Sequence, residues 1–227
     1  LPEELDILQD FLEVQIASYS AKLGAATAWS YGTGNVNEKD PSKTEFKPFA
    51  HFENEQWQLG PGYPYMGGMW EGLNATSGHP GGEMGVILRW TADSKQKIRV
   101  DGMVNHGSPA GDGVRVTVIS NRRGQLAQWT IAHERQEFQI EPIVVEQGEQ
   151  ILFVNDLNDT LTSDNFDWQW QVHQLSQDNS ILKTWDSVIG FHGPLEAGIP
   201  VDDTAFKQAL TDLCHVLLSS NEFSYID

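Results

Sequence analysis

Cysteine is nearly absent. Cys214 stands alone among 227 residues, so no disulfide can form within the chain. Its neighbours Leu213, Val216 and Leu217 mark it as a small buried hydrophobe rather than a nucleophile. Basic residues are scarce too: 14 Lys and Arg face 32 Asp and Glu, for a formal charge of -18. Nucleic acid and anionic lipid are bound by cations that displace phosphate counterions, so this balance argues against both partners. No apolar run approaches the roughly 20 residues of a spanning helix, which excludes insertion by that route.

Catalytic and metal signatures are missing as well. There is no Gly-x-Ser-x-Gly elbow, no phosphate-binding Gly-x-x-x-x-Gly-Lys loop, and no Cys-x-x-Cys, His-x-x-x-His or His-Glu-x-x-His spacing. Zinc would require His51, His79, His106 and His133 to converge from separate strands. Two carboxylates across a sugar bond would suffice for a glycosidase, yet among 32 acids no pair is singled out by spacing. The sequence points away from an enzyme.

What is present is a β pattern. Short alternating segments separated by Gly, Pro, Asn and Asp run through the middle of the chain. They predict strands at 28–31, 45–53, 85–90, 97–105, 113–120, 125–133, 138–145, 150–155 and 166–175. Val114, Val116 and Val118 alternate with Arg115, Thr117 and Ile119, as in a strand with one face in a core. No long helix interrupts the series, which argues against a parallel α/β sheet. Trp90, Trp129 and Trp168 fall inside strand patterns and are expected to pack. Outside the series, Leu5, Leu8, Leu12 and Ile16 form one helical stripe, and Phe206, Leu210, Leu213 and Leu217 form another after a cap at Asp202 or Asp203.

The expected fold is therefore all-β: an antiparallel, jelly-roll-like β-sandwich with flanking N- and C-terminal α-helices. The divisions are an N-terminal helix over 1–24, a sandwich over 25–176, and a connector with a C-terminal helix over 177–227. Leu1 already stands inside the helical pattern, so the chain reads as a segment of a longer protein.

The long aperiodic stretch from Gly60 to Gly82, rich in Gly, Pro and aromatics, is where function is expected. Sugar sites need flat aromatic faces for C–H surfaces and amides or carboxylates for hydroxyls. Trp57, Tyr65, Trp70, Asn74 and His79 supply those types together, and His106 and Asp112 join them as candidate ligand contacts. Packing of the same aromatics into the sandwich ends is the competing reading. Asp112 could equally cap its turn or pair with Arg115 or Arg122. Asn155, Asp156, Asp159 and Asp164, with Asn158, cluster hard oxygen donors suited to a structural calcium, although Asn and Asp also simply make turns.

Several phrases also carry a resemblance. GHPGG (Gly78 to Gly82), LRWTA (Leu88 to Ala92), NHGSPAGDGVRVTVISNRRG (Asn105 to Gly124) and TSDNFDW (Thr162 to Trp168) resemble a β-sandwich insert of the planctomycete cytochrome-associated family. ALTDLCHVLLSSNEFSYID (Ala209 to Asp227) resembles the closing helix of that family's last domain. The resemblance implies export beyond the cytoplasmic membrane, a fold like carbohydrate-binding modules, and neighbouring domains of the parent chain as partners. It implies no activity. The Cys-x-x-Cys-His haem attachment of that family is absent, so no cofactor is expected in this segment beyond the candidate calcium. Three functions stay open: a module binding a polysaccharide or glycoconjugate, a structural or interaction domain without a small ligand, and a glycan hydrolase.

Overall fold

A computed structural model describes residues 28–195. The two amphipathic stripes and Cys214 lie outside the described residues.

Fourteen strands build two antiparallel sheets. In chain order they are β1 (Trp29–Gly34), β2 (Lys47–Pro48), β3 (His51–Glu53), β4 (Gln56–Gln58), β5 (Gly72–Leu73), β6 (Ser77–His79) and β7 (Gly85–Thr91). They continue with β8 (Gln96–Asn105), β9 (Val114–Ser120), β10 (Gly124–Ile131), β11 (Arg135–Val145), β12 (Gln150–Leu157), β13 (Phe166–Leu175) and β14 (Ile181–Asp186). One sheet runs β10-β9-β12-β7-β1-β2 and the other β11-β8-β13-β6-β5-β4-β3. β13 shares one edge with β8 along its length. Its other edge is divided, with β6 at Phe166 and Asp167 and β14 from Gln171 to Leu175.

Period-two alternation explains the burial. Val114, Val116 and Val118 of β9 face Ile151 and Phe153 of β12 and the inner face of the opposite sheet. Tryptophans fill the space between the layers. Trp29, Trp90, Trp170 and Trp185 are all buried, and Phe153 sits 6.0 Å from Trp29 and 4.5 Å from Trp170 by ring centroids. Each such side chain contributes roughly 3 kcal/mol of burial. Trp90 and Trp168 are buried as their strand positions predict, and half-buried Trp129 stacks 4.1 Å from Phe138. Gly102 gives Trp170 its room: a Cβ there would collide with the indole.

Two features depart from the sequence reading. The outward row of β9 and its neighbours is not solvated. Ile87, Ile119, Leu152 and Val154 form a second buried cluster beneath Val36 and Phe46. The stretch read as an irregular connector after Ser176 holds β14, whose Trp185 packs edge-on against Trp90 at 5.2 Å.

Candidate functional site

The chain between β4 and β5 is tied at several points. Gln58, almost fully buried, donates from Nε2 to the carbonyls of Gly60 and Gly62 at 2.8 and 3.2 Å. Gly62 and Gly67 turn the backbone at φ of 78° and 75°, where a Cβ would be strained. Tyr65 and Met69 exchange two backbone hydrogen bonds of 2.9 Å. The Tyr63 hydroxyl then donates to the Trp70 carbonyl at 2.8 Å and closes the loop.

This bracing holds two aromatic rings at the surface. Tyr63 is 43% exposed and Trp70 38%, with ring centroids 5.8 Å apart at 88°, an edge-to-face pair. His79 of β6 lies 5.4 Å from Trp70, with the ring planes tilted by 34°. Together with Gln56, Asn74 and Asn165 they line an open cleft of about 390 Å³. Gly72 forms part of the floor, and a Cβ there would meet the Gln56 amide and the Tyr63 ring.

Several polar side chains of the cleft are held by hydrogen bonds. Asn74 knots the β5–β6 turn: its Oδ1 accepts from the Thr76 and Ser77 amides, and Nδ2 donates to Ser77 Oγ at 2.7 Å. One N–H of Asn74 has no partner among the described residues. Nδ1 of His79 stands 2.6 Å from the Pro80 carbonyl, so it carries the hydrogen, and in the neutral ring Nε2 keeps a lone pair. Burial lowers the His79 pKa and so favours the neutral ring, while the bond to the Pro80 carbonyl acts the other way. Tyr63 is pushed up to about 12 by burial and by the neighbouring Glu71 carboxyl. Glu71 is itself 4% exposed, and its own pKa is raised, mainly by burial.

Three of the sequence-predicted contacts, Trp70, Asn74 and His79, thus meet in one place. The other four do not. Trp57 points between the sheets, stacking 5.9 Å from Tyr31 and donating Nε1 to the His192 carbonyl at 2.8 Å. Its alternation partners, Gln56 and Gln58, take the outer face instead. Tyr65 lies over Gly60, where a Cβ would strike its ring. His106 is wholly buried, with Nε2 2.9 Å from the Ser163 carbonyl and Nδ1 accepting from the His133 amide at 3.1 Å. Asp112 pairs with neither Arg115 nor Arg122. Its carboxylate instead receives the Asp159 and Thr160 amides and the Thr160 hydroxyl, clamping one loop to another.

The four proposed calcium donors are not gathered either. Asn155 and Asp156 leave opposite faces of β12, and Asp156 is held by Arg115 through two bonds of 2.9 and 2.8 Å. Asp159 contributes its backbone amide to Asp112, and Asp164 is buried in the following loop. Among the described residues no group of three or more His, Cys, Asp or Glu could hold a metal ion. The four histidines considered for zinc are likewise dispersed: His106 and His133 adjoin at 5.6 Å, His51 pairs with Glu53, and His79 with Trp70.

No protein-family model matches the chain, and no curated protein matches it. Solved structures are similar only at a distance. Rabbit GITRL is 17% identical at a TM-score of 0.30, covering 41% of this chain and 76% of its own. A family 35 carbohydrate-binding module from an environmental isolate is 18% identical at a TM-score of 0.27, over 44% and 72%. The C-terminal CBM6 of LamC, a marine laminarinase from Zobellia galactanivorans, is 12% identical at 0.26, over 39% and 72%. Similarity this remote carries no argument about the site.

Sequence reasoning offered Tyr63 or Tyr65 and settled on Tyr65, and it missed Gln56 and Asn165 as cleft residues. It also missed an array on the outer face of the larger sheet. There Asp186 accepts from Gln169 and Gln171 at 2.8 and 2.7 Å, and Asp101 is held by Arg99, Gln139 and His173. These residues flank a polar concavity of about 470 Å³ that has no exposed aromatic ring. The alternation of β8 and β13 places the array on one face, but their register was not legible beforehand.

Proposed function

We propose that this chain is a non-catalytic β-sandwich module that binds carbohydrate in the Tyr63–Trp70 cleft. The observation that carries the reading is a braced, partly exposed indole set edge-to-face with a phenol and ringed by amides. The C–H face of a sugar ring stacks on such a surface, and its hydroxyls meet Gln56, Asn74 and Asn165. Among the described residues no carboxylate lines the cleft, and its neighbour Glu71 is buried, so these residues do not offer the opposed pair of a glycosidase there. Resemblance of the quoted segments to planctomycete cytochrome-associated proteins supports an exported parent protein, with the helices predicted at either end belonging to a flanking domain. An additional interaction role is favoured by Ile181 and Leu182 of β14, which are 50% and 63% exposed. The test is affinity electrophoresis against a panel of polysaccharides. Retardation is expected for at least one, and Trp70→Ala should weaken it by about 2 kcal/mol, roughly 30-fold. Unretarded migration through every gel would leave the interaction role as the surviving reading.

A further inference from the structure

We infer that the Tyr63–Trp70 cleft selects neutral sugars and rejects chains bearing carboxylates or sulfates. The inference rests on the carbohydrate-binding reading and adds the chemical class of the ligand.

Three observations carry it. First, no Lys or Arg among the described residues lines the cleft; its polar contacts are the amides of Gln56, Asn74 and Asn165, the Ser77 hydroxyl and the His79 ring. A uronate or sulfate entering there would shed water without gaining a cation, a cost that hydroxyls do not incur. Second, the ionisable group that follows the aromatic pair in the chain is acidic. Glu71 follows Trp70 directly, is buried, and lies close enough to act on the Tyr63 phenol. Glu83 adds to the same acidic side. Third, burial disfavours the charged form of the one ring that could supply positive charge. The Nδ1–H of His79 donates to the Pro80 carbonyl, and Nε2 has no partner among the described residues. That lone pair accepts a hydrogen, which a sugar hydroxyl supplies and a carboxylate does not.

The chain's overall charge of -18 repels anionic polymers by itself, so the local effect must be isolated with salt. At about 0.5 M sodium chloride the screening length falls to roughly 4 Å, and general repulsion is largely removed. Under that condition affinity electrophoresis compares β-glucan, glucomannan and xyloglucan with polygalacturonate and alginate. At least one neutral polymer should retard the protein about tenfold more strongly than either anionic one. Gln56→Lys should shrink that ratio about tenfold by admitting the anionic chains. His79→Gln, which retains an acceptor, should bind within a few-fold of the parent, whereas His79→Phe, which retains only the ring, should lose about tenfold. Tryptophan fluorescence checks that each variant is folded. Equal binding of neutral and anionic polymers, or full affinity in His79→Phe, overturns the inference while leaving carbohydrate binding intact. No binding to any polymer overturns both.

Discussion

Asp164 offers the sharpest energetic test of the fold. It lies at 0% exposure in the loop before β13, and neither carboxylate oxygen receives a well-formed hydrogen bond from the described residues. Burial pushes its pKa up to about 6. Asp112 acts in the same direction, and the His106 ring and the Thr162 backbone oppose it in part. An unfolded aspartate titrates near 3.9, so between about pH 4 and pH 6 the native state binds more protons than the unfolded chain. Stability from this group therefore falls as pH rises through that window, and the full cost is present above it. A shift of about 2 units corresponds to roughly 3 kcal/mol. Asp164→Asn keeps the shape and removes the titration. The stability difference between variant and parent should grow in the variant's favour by about 2–3 kcal/mol between about pH 4 and pH 7.5. Carboxylates with lowered pKa values, such as Glu53 and Asp101, titrate alike in both proteins and cancel. Urea melts followed by tryptophan fluorescence at several pH values supply the comparison. A difference that stays flat with pH would refute the reasoning.

Other consequences follow from the packing. Gly102→Ala drives a Cβ into Trp170 and should cost about 1–3 kcal/mol, read as a lower urea midpoint at unchanged slope. His106→Leu strips partners from the Ser163 carbonyl and the His133 amide, and should cost about 3 kcal/mol in the same assay. Because Asp156 is spent on Arg115 and Asn155 faces the other way, calcium should leave the melting temperature unchanged; a saturable rise would contradict that geometry.

The long strands were legible because period two over seven or more residues defines a buried face: β8, β9 and β13 fall where alternation put them. Strands of two or three residues show no period, so β4, β5 and β6 were invisible, and the cleft is built on them. β14 was hidden for another reason: its first four residues are all exposed, Ile181 and Leu182 included. Residue type alone nominated both Trp57 and Trp70. Only the pleat separates them, since it turns Trp57 toward Tyr31 while the tied loop leaves Trp70 outside. Asp112 and His106 have the chemistry of ligand contacts, but backbone donors and acceptors from neighbouring loops claim them. No pattern within one strand announces such long-range pairing.

The eight tryptophans make the central claim directly observable, because each indole N–H gives its own resonance in a nitrogen-15 correlation spectrum. On titration with a neutral polysaccharide that retards the protein, the Trp70 signal should move progressively, while those of Trp29, Trp90, Trp170 and Trp185 stay in place. Saturable binding that leaves Trp70 unmoved would contradict the account.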